Sequence, residues 1–364
     1  MTTPLAPHTT LRLGGPARSL LAATEETALI EAVSHADAGG DQLLLLGGGS
    51  NVVIADVGFD GTVILVRTRG IQHTDGGGKV VVTAAAGEDW DALVVHCVDE
   101  ELAGVECLAG IPGLVGATPI QNVGAYGQDV AQTVVGVRAY DRQANEVVTL
   151  GAADCAFTYR RSRFKDDPGR FVILDVSFAL DRAPVSRPLR YVELALTLGV
   201  PVGAAAPLAQ VRDAVLRLRS GKGMVLDPVD HDTWSVGSFF TNPILPAPAF
   251  AALHARVRER LGPEARLPRY PEPDGRVKTS AAWLVERAGF PKGHPGPLAP
   301  ASISTKHTLA LTNRGRARTA HLVDLAREVA DGVHDAFGVS LVPEPVFVGH
   351  AWSEGLTRAR RPAT

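Results

Sequence analysis

Residues 110–127 read GIPGLVGATPIQNVGAYG, an 18-residue stretch with five glycines and two prolines. Its glycines and prolines exclude a continuous helix or strand, because both residue types interrupt regular structure. Glycine also lets the backbone turn sharply and bring its N–H groups close to an anion such as phosphate. The stretch is therefore a loop, and Thr118, Gln121 and Asn122 give it polar side chains suited to a phosphate ligand.

A second glycine-rich segment, GGGSN at residues 47–51, lies between two apolar runs at residues 43–46 and 52–55. Taken alone, such a segment is most simply a tight connection between strands. It lacks the third glycine and the long following helix of a nicotinamide-binding Rossmann unit. Two glycine-rich loops in one half of the chain instead suggest a pyrophosphate held from both sides, and FAD is an extended dinucleotide that fits.

Composition narrows the class of protein. At 364 residues the chain is long enough for two or three domains, and a net charge of −3 gives no electrostatic reason to expect nucleic-acid binding. Cys97, Cys107 and Cys155 are too few for a disulfide framework and lack metal-ligand spacing, so no metal is expected. We find no secretory leader pattern and no apolar run of about 18 residues, and we expect a cytoplasmic protein without membrane insertion.

Periodicity of the apolar residues predicts a mixture of helices and short strands. Helices are expected at residues 24–38, 89–103, 208–219, 250–261 and 317–337. Strands are expected at residues 43–46, 52–55, 63–66, 80–84, 133–140, 146–150, 171–178, 307–313 and 341–348. The fold class is therefore α+β.

Six blocks of the sequence resemble, in order, the motifs of the UDP-N-acetylenolpyruvoylglucosamine reductase family. They are LGGGSNVVIAD, GIPGLVGATPIQNVGAYGQDV, YRRSRFK, GSFFTNP, VKTSAAWLVERAG and LVPEPVFVG. The resemblance implies an FAD-binding region of the vanillyl-alcohol-oxidase type at residues 1–225, with two α+β subdomains and a lid insertion near 182–206. It further implies a smaller α/β substrate-binding domain at 226–340, a strand at 341–352, and a disordered tail at 353–364.

The same resemblance implies an activity, the NADPH-dependent reduction of UDP-N-acetylglucosamine enolpyruvate to UDP-N-acetylmuramate through FAD. Hydride would pass from flavin N5 to the alkene. Ser238 of GSFFTNP would donate the proton to the adjacent carbon. Arg160 of YRRSRFK and Glu344 of LVPEPVFVG would stabilise the carboxylate and the developing enolate.

Binding residues follow from the same motifs. Those expected at the cofactor are Gly47, Gly48, Gly49, Ser50, Asn51, Gly113, Gly116, Ala117, Thr118, Gln121, Asn122 and Gly127. Those expected at the substrate are Tyr159, Tyr191, Lys222, Asn242 and Lys278. The segment LRYVEL resembles that of the subgroup with a tyrosine lid, which makes Tyr191 the lid residue. One departure is Thr241, where several relatives have lysine.

Two other functions use part of this pattern. An FAD oxidase of the same fold, acting on a sugar or alcohol, would require a catalytic base and usually a tethered flavin, and neither is visible. A non-catalytic flavin or sugar-nucleotide binding protein would explain the loops but not Ser238, Arg160 and Glu344 together. No obligate protein partner is evident from the sequence.

FAD should be bound without a covalent link, because neither glycine-rich loop contains the His or Cys through which relatives on this fold often tether the flavin. Acid precipitation of the purified yellow protein should release the chromophore into the supernatant. Flavin absorbance that stays with the washed pellet would contradict this expectation.

Overall fold

The computed structural model describes residues 3–352, which form two compact units. The first contains Ala17–Ser50 and Asp60–Leu226. The second contains Pro4–Pro16, Asn51–Phe59 and the described chain from Asp227 onward. The division expected from the sequence therefore differs at two N-terminal segments, which group with the second unit. The tail expected to be disordered, residues 353–364, lies outside the described range.

Short elements alternate along the chain. The helices are α1 (Glu26–Ala38), α2 (Trp90–Asp99), α3 (Arg163–Asp166), α4 (Val192–Leu198), α5 (Leu208–Gly221), α6 (Ala247–Leu261), α7 (Ala281–Arg287) and α8 (Thr319–Phe337). The strands are β1 (Thr3–Pro4), β2 (Pro16–Ala23), β3 (Leu43–Leu46), β4 (Val52–Ile54), β5 (Phe59–Val66), β6 (Ile71–Gly76), β7 (Lys79–Ala85), β8 (Leu102–Ala103), β9 (Gly124–Ala125), β10 (Gln128–Asp129), β11 (Val134–Asp141), β12 (Glu146–Gly151), β13 (Phe171–Arg182), β14 (Ile244–Leu245), β15 (Tyr270–Pro271), β16 (Val277–Lys278), β17 (Ala301–Ile303), β18 (Leu311–Asn313) and β19 (Val346–Val348).

The core of the first unit lies on an antiparallel sheet with strand order β12-β11-β13-β7-β6, to which β8 adds by pairing with β13. Alternate residues of β7 are buried, as expected for a strand with one face on a core. Helix α2 contributes Trp90, whose ring lies 5.8 Å from that of Phe178 on β13. The Trp90 indole N–H donates to the Leu108 carbonyl at 3.0 Å, so its polar atom is satisfied inside the core.

The core of the second unit is organised by α8. Its buried Leu322, Ala326, Val329 and Val333 recur at the spacing of one helix face. They belong to one apolar cluster with residues of α6 and α7 and with the hairpin formed by β17 and β18. This cluster also contains Phe239 and Phe240 of the GSFF motif, which are fully buried.

Several predicted elements end differently in the structure. The helix expected to reach residue 103 ends at Asp99, because Glu101 takes a left-handed backbone with φ of 54° and the next two residues join the sheet as β8. The C-terminal strand begins at Val346 and not at residue 341, since Pro343 and Pro345 have no N–H for a ladder. Strand β6 was not predicted, because its sequence IQHTDG is mostly polar.

The predicted lid insertion has a defined base within the first unit. Val185 pairs with Pro207 in an antiparallel bridge, and the Leu208 N–H donates to the Pro184 carbonyl at 3.1 Å. The two ends of the insertion are therefore held together just before α5 begins. Helix α4 lies inside the insertion and directly follows Tyr191.

Asp56 should stabilise the second unit by capping α8. Its two carboxylate oxygens accept the Thr319 and Ala320 N–H groups at 2.8 and 2.9 Å, which are otherwise orphan donors at a helix start. Asp56→Ala should lower the free energy of unfolding by about 1–2 kcal/mol, measured by urea denaturation. Asp60→Ala is the control, because the side chain of Asp60 is 91% exposed. Equal stability of the two variants would contradict the capping role.

Candidate active site

The two glycine-rich loops touch each other within the first unit. A Cβ added to Gly48 would lie 2.7 Å from Gly113 Cα, a distance that the fold cannot accept without moving backbone. A Cβ on Gly113 would lie 2.9 Å from Ser50 Oγ, and Gly113 also has a left-handed φ of +134°. The contact with the Gly113 backbone therefore requires glycine at position 48, and the left-handed φ favours glycine at position 113.

The first loop keeps its backbone donors. No hydrogen bond links the N–H group of Gly48 or Ser50 to another residue in the described range 3–352. Gly49 is buried with φ of +63°, and the Gly47 carbonyl accepts from Arg67 Nη1 at 3.2 Å. Unused N–H groups on a close-approach loop suit a pyrophosphate, so the residues present fit FAD.

The second loop is mostly a scaffold. The N–H groups of Gly116, Ala117 and Thr118 donate to the carbonyls of residues 86, 114 and 115 at 2.9, 3.0 and 3.0 Å. The Thr118 hydroxyl is 3% exposed and donates to the Val115 carbonyl at 2.8 Å. These groups are hydrogen-bonded to protein, so the first loop is the better source of phosphate donors.

Asn122 connects the second loop to the YRRSRFK segment. Its amide Nδ2 donates to the Thr158 carbonyl at 3.1 Å, and its Oδ1 accepts the Ala131 N–H at 3.0 Å. The side chain is 5% exposed, so both bonds are shielded from water. Asn122 therefore holds the turn that carries Arg160. Gln121, the preceding residue of the second glycine-rich loop, is half-buried.

Arg160 is placed by that turn in an unusual backbone conformation. Its φ is 56°, and Asn122 and Tyr126 of the second glycine-rich loop have φ of 47° and 49°. Left-handed backbone is costly for residues with a Cβ and concentrates at functional sites. The Arg160 guanidinium donates to the carbonyls of Asn122 at 3.1 Å and Gly124 at 2.7 Å. Tyr159, 39% exposed, has its ring centroid 5.7 Å from the same guanidinium.

Ser238 and Glu344 are brought together within the second unit by backbone pairing. Phe240 forms an antiparallel bridge with Pro343, and the Glu344 N–H donates to the Phe239 carbonyl at 2.8 Å. The Ser238 side chain is half-buried and makes no hydrogen bond to another residue among those described. Its hydroxyl is therefore available to a ligand beside the fully buried rings of Phe239 and Phe240.

Asn51 is also held close to Glu344, by both backbone and side-chain hydrogen bonds. Strand β4 runs parallel to β19, and the Val346 N–H donates to the Asn51 carbonyl at 2.9 Å. The Asn51 amide in turn donates to the Glu344 carbonyl at 3.4 Å. The last residue of the GGGSN segment is thus fixed next to Glu344, which explains why the chain enters the second unit directly after Ser50.

Tyr191 and Lys222 form a cluster in the first unit with two residues that the sequence did not single out. Lys222 Nζ donates to Glu193 Oε2 at 2.5 Å and lies 5.7 Å from the centroid of the Tyr126 ring. The rings of Tyr126 and Tyr191 meet edge to face at 5.2 Å. Burial lowers the pKa of Lys222, but the hydrogen bond to Glu193 and the Coulombic interactions with Tyr126, Glu193 and Tyr191 together outweigh it, so this pKa lies above its ordinary value.

Asn242, Lys278 and Thr241 lie in the second unit and contact protein groups. Asn242 Oδ1 accepts the Ala281 N–H at the start of α7 at 2.9 Å. Lys278 forms an ion pair with Glu272 at 2.7 Å. The Thr241 hydroxyl donates to the Val342 carbonyl at 3.3 Å, so this position supports the pairing that holds Glu344.

Arg219 is a further candidate that sequence reasoning missed. Its Nη2 donates to the carbonyls of Met224 at 2.7 Å and of Gly110 at 3.3 Å, which ties it to the second glycine-rich loop. Burial lowers the pKa of Arg219 to about 10. Its Nε is buried and has no hydrogen-bond partner within residues 3–352. A basic residue near a helix end is usually explained by the helix dipole, so Arg219 cannot be recognised as a site residue from the sequence.

A cavity of about 410 Å³ lies in the first unit at the Gly127 end of the second loop. It is lined by Cys107, Tyr126, Gly127, Gln128, Gln132, Arg187, Pro188, Leu189 and Arg190. Arg187 is paired with Asp181 at 2.7 Å. Gly127, expected at the cofactor, therefore borders a cavity of mixed polar and apolar lining at the start of the lid insertion.

Known proteins resemble this chain over nearly its whole length. The UDP-N-acetylenolpyruvoylglucosamine reductase of Streptomyces coelicolor is 60% identical, covering 96% of this chain and 90% of the relative. The protein of the same name from Thermobifida fusca is 59% identical, covering 95% of this chain and 97% of the relative. This chain belongs to the UDP-N-acetylenolpyruvoylglucosamine reductase family.

Comparisons of parts of the chain and of its fold agree with the family assignment. The family's C-terminal domain profile matches residues 227–348, and an FAD binding domain profile matches residues 17–151. The crystal structure of the reductase from Thermus caldophilus has a similar fold, with a TM-score of 0.63 and 22% identity over 96% of this chain and 98% of that one. The predicted α+β fold class and the FAD-containing oxidoreductase class are confirmed.

Two further observations concern residues 3–352. They contain no group of three or more His, Cys, Asp or Glu side chains arranged to hold a metal ion. In the same residues, every helix is too short or too polar to cross a lipid bilayer.

Gly48→Ala should weaken FAD binding, because the new methyl group would force the two glycine-rich loops apart. Overpacking of this kind costs about 1–3 kcal/mol, which corresponds to a rise in the FAD dissociation constant of about five- to 150-fold. Gly47→Ala is the matched control, since its nearest neighbour would be a Leu114 side-chain atom at 3.7 Å, an ordinary contact. Flavin titration of the two apoproteins measures the difference, and equal constants would contradict the role of the loop contact.

Proposed function

We propose that this chain reduces UDP-N-acetylglucosamine enolpyruvate to UDP-N-acetylmuramate, with NADPH as reductant, in peptidoglycan precursor synthesis. Membership of the reductase family and the FAD binding domain support the reaction type and cofactor. The observation that carries the proposal is the available Ser238 hydroxyl beside Glu344. A cytoplasmic location belongs to the same proposal, because NADPH is a cytoplasmic reductant.

Ser238 is the proposed proton donor. When bound, FAD supplies the transfer of a hydride from NADPH to the enolpyruvyl group. The substrate carbon next to the one that receives hydride then carries enolate charge, which is basic enough to take a proton from a weakly acidic hydroxyl. Half-burial next to Phe239 and Phe240 limits competing water, which favours proton donation from a fixed position.

Arg160 and Glu344 are proposed to act on the substrate carboxylate. A guanidinium binds a carboxylate in a planar two-point geometry and stabilises charge that grows during the reaction. The bonds from Arg160 to the Asn122 and Gly124 carbonyls support a fixed orientation before substrate arrives. Glu344 is held through its backbone on both sides, because its N–H donates to the Phe239 carbonyl and its carbonyl accepts from the Asn51 amide.

The nucleotide part of the substrate is proposed to be bound by Tyr159, Tyr191, Lys222, Asn242 and Lys278. Lys222 and Tyr191 have the strongest support, because they already form one cluster. Asn242 and Lys278 must change partners or share them, since Asn242 holds the start of α7 and Lys278 is paired with Glu272. We propose that NADPH and the sugar nucleotide use one pocket in turn.

Ser238→Ala should slow only the second half-reaction. Reduction of the flavin by NADPH needs no proton at the substrate carbon, so its rate should stay near that of the wild type. Reoxidation by the enolpyruvyl substrate should slow by about 10²- to 10⁴-fold, the usual loss when a positioned acid is removed. Stopped-flow absorbance of the flavin measures each step separately.

Ser235→Ala provides the matched control. It removes a hydroxyl from the same loop, where Ser235 Oγ accepts the Gly237 N–H at 3.2 Å. This variant should keep both half-reactions within a few-fold of the wild type. Equal slowing of both half-reactions in Ser238→Ala, or of neither, would mean that the acid is assigned wrongly.

A further inference from the structure

Glu193 forms an ion pair with Lys222, the cation that the proposed function assigns to substrate binding. Its carboxylate accepts from Lys222 Nζ at 2.5 Å, and the two side chains are 42% and 33% exposed. Glu193 lies in the first turn of α4, two residues after the proposed lid residue Tyr191. Lys222 lies at the C-terminal cap of α5, outside the lid insertion. The ion pair therefore connects the lid to a fixed element of the first unit.

The residues around Lys222 and Glu193 leave this ion pair accessible to an anionic ligand. Lys222 lies 5.7 Å from the centroid of the Tyr126 ring, and Tyr126 contacts the Tyr191 ring at 5.2 Å. A Cβ on Gly127 would lie 3.6 Å from the Tyr191 backbone nitrogen, so the lid also meets the end of the second glycine-rich loop. Both partners remain partly open to water, so the bond can exchange for another without burying an unpaired charge.

We propose that Glu193 is a specificity-determining residue that holds Lys222 until the diphosphate group of a ligand displaces it. This inference rests on the proposed function, because it takes Lys222 as a diphosphate ligand. One ammonium group cannot pair equally well with a carboxylate and with a diphosphate that carries more negative charge. Binding of the diphosphate breaks the Glu193–Lys222 bond, and like-charge repulsion moves Glu193 away from the bound ligand.

Release of Glu193 has a consequence for the lid. Glu193 lies in the first turn of α4, so its bond to Lys222 is one of the contacts that hold this turn in place. Freed from Lys222, this turn can shift and carry Tyr191 with it. The ion pair thus selects for ligands with enough negative charge to open it, and discriminates against uncharged sugars.

Two ligands of the proposed reaction carry a diphosphate, the sugar nucleotide and NADPH. Glu193→Gln keeps the size of the side chain but removes its charge, so Lys222 becomes available without competition. The oxidised holoenzyme is titrated with UDP-N-acetylglucosamine enolpyruvate, and binding is followed by the change in flavin absorbance. In a second arm, the apparent dissociation constant for NADPH is taken from the concentration dependence of flavin reduction.

We expect Glu193→Gln to bind the sugar nucleotide about two- to fivefold more tightly than the wild type, the range expected for loss of a partly exposed competing ion pair. If only the sugar nucleotide binds more tightly, its diphosphate is the group that displaces Glu193 from Lys222. If both the sugar nucleotide and NADPH bind more tightly, their diphosphates share this position. Unchanged or weaker binding in both arms overturns the proposal.

Two controls separate this mechanism from other effects. Glu31→Gln makes the same change in net charge on the exposed face of α1, and binding should not change. In a Lys222→Ala background, Glu193→Gln should alter affinity by less than about twofold, because the pair to be broken is already absent. An equal gain in that background would overturn the proposal. Failure of the proposed function is distinguishable, since the wild-type flavin would then not be reoxidised by the enolpyruvyl substrate.

Discussion

The close approach of Gly48 to Gly113 is the constraint on which the first unit depends. The Gly113 backbone leaves no space for a side chain at Gly48, so two loops that are far apart in sequence are held in close contact. The second loop contributes rigidity, because the N–H of Trp90 donates to the Gly113 carbonyl and that of Val115 to the Glu88 carbonyl. The first loop contributes the unused N–H groups. A rigid support and an open set of donors are both needed for a binding site that is formed before its ligand arrives.

In the second unit, main-chain pairing fixes the positions of the candidate site residues. Glu344 lies over a hundred residues from Ser238, yet a short antiparallel bridge fixes their relative position. The parallel pairing of β4 with β19 adds Asn51 to this group. Backbone hydrogen bonds position functional residues more accurately than flexible side-chain contacts do, because each bond fixes two peptide groups at once. Proline at 343 ends the possible ladder and keeps this contact short.

Local features of the fold could be predicted from the sequence. The strand at residues 43–46 was predicted with its observed bounds, since an apolar run followed by three glycines has few other interpretations. The helix of residues 319–337 was also found from its periodicity, beginning two residues later than expected. The long helix expected over residues 89–103 was wrong at its end, because burial of Leu102 and Ala103 against β13 overrides helix periodicity.

Only part of the candidate site could be predicted from the sequence. Motifs indicate Ser238 and Tyr191. They cannot show that Glu193 contacts Lys222, since these two residues are 29 positions apart in the sequence. Tyr126 and Arg219 were missed for a similar reason. Nothing in a local pattern separates a tyrosine in a glycine-rich loop, or an arginine near a helix end, from an ordinary surface residue. Their significance arises from what the tertiary fold places next to them.

The left-handed backbone of Asn122, Tyr126 and Arg160 bears on how this protein can change over evolution. Each such conformation costs about 1–3 kcal/mol when the residue has a Cβ, and glycine would remove much of that cost. Glycine would relieve this backbone cost, but it would delete a guanidinium, a phenol ring or a buried amide, together with the hydrogen bonds of Asn122 and Arg160. Backbone relaxation and the role of the side chain therefore act in opposite directions at these three positions. An engineered thermostable variant obtained by screening for folding alone is at risk of losing activity here first.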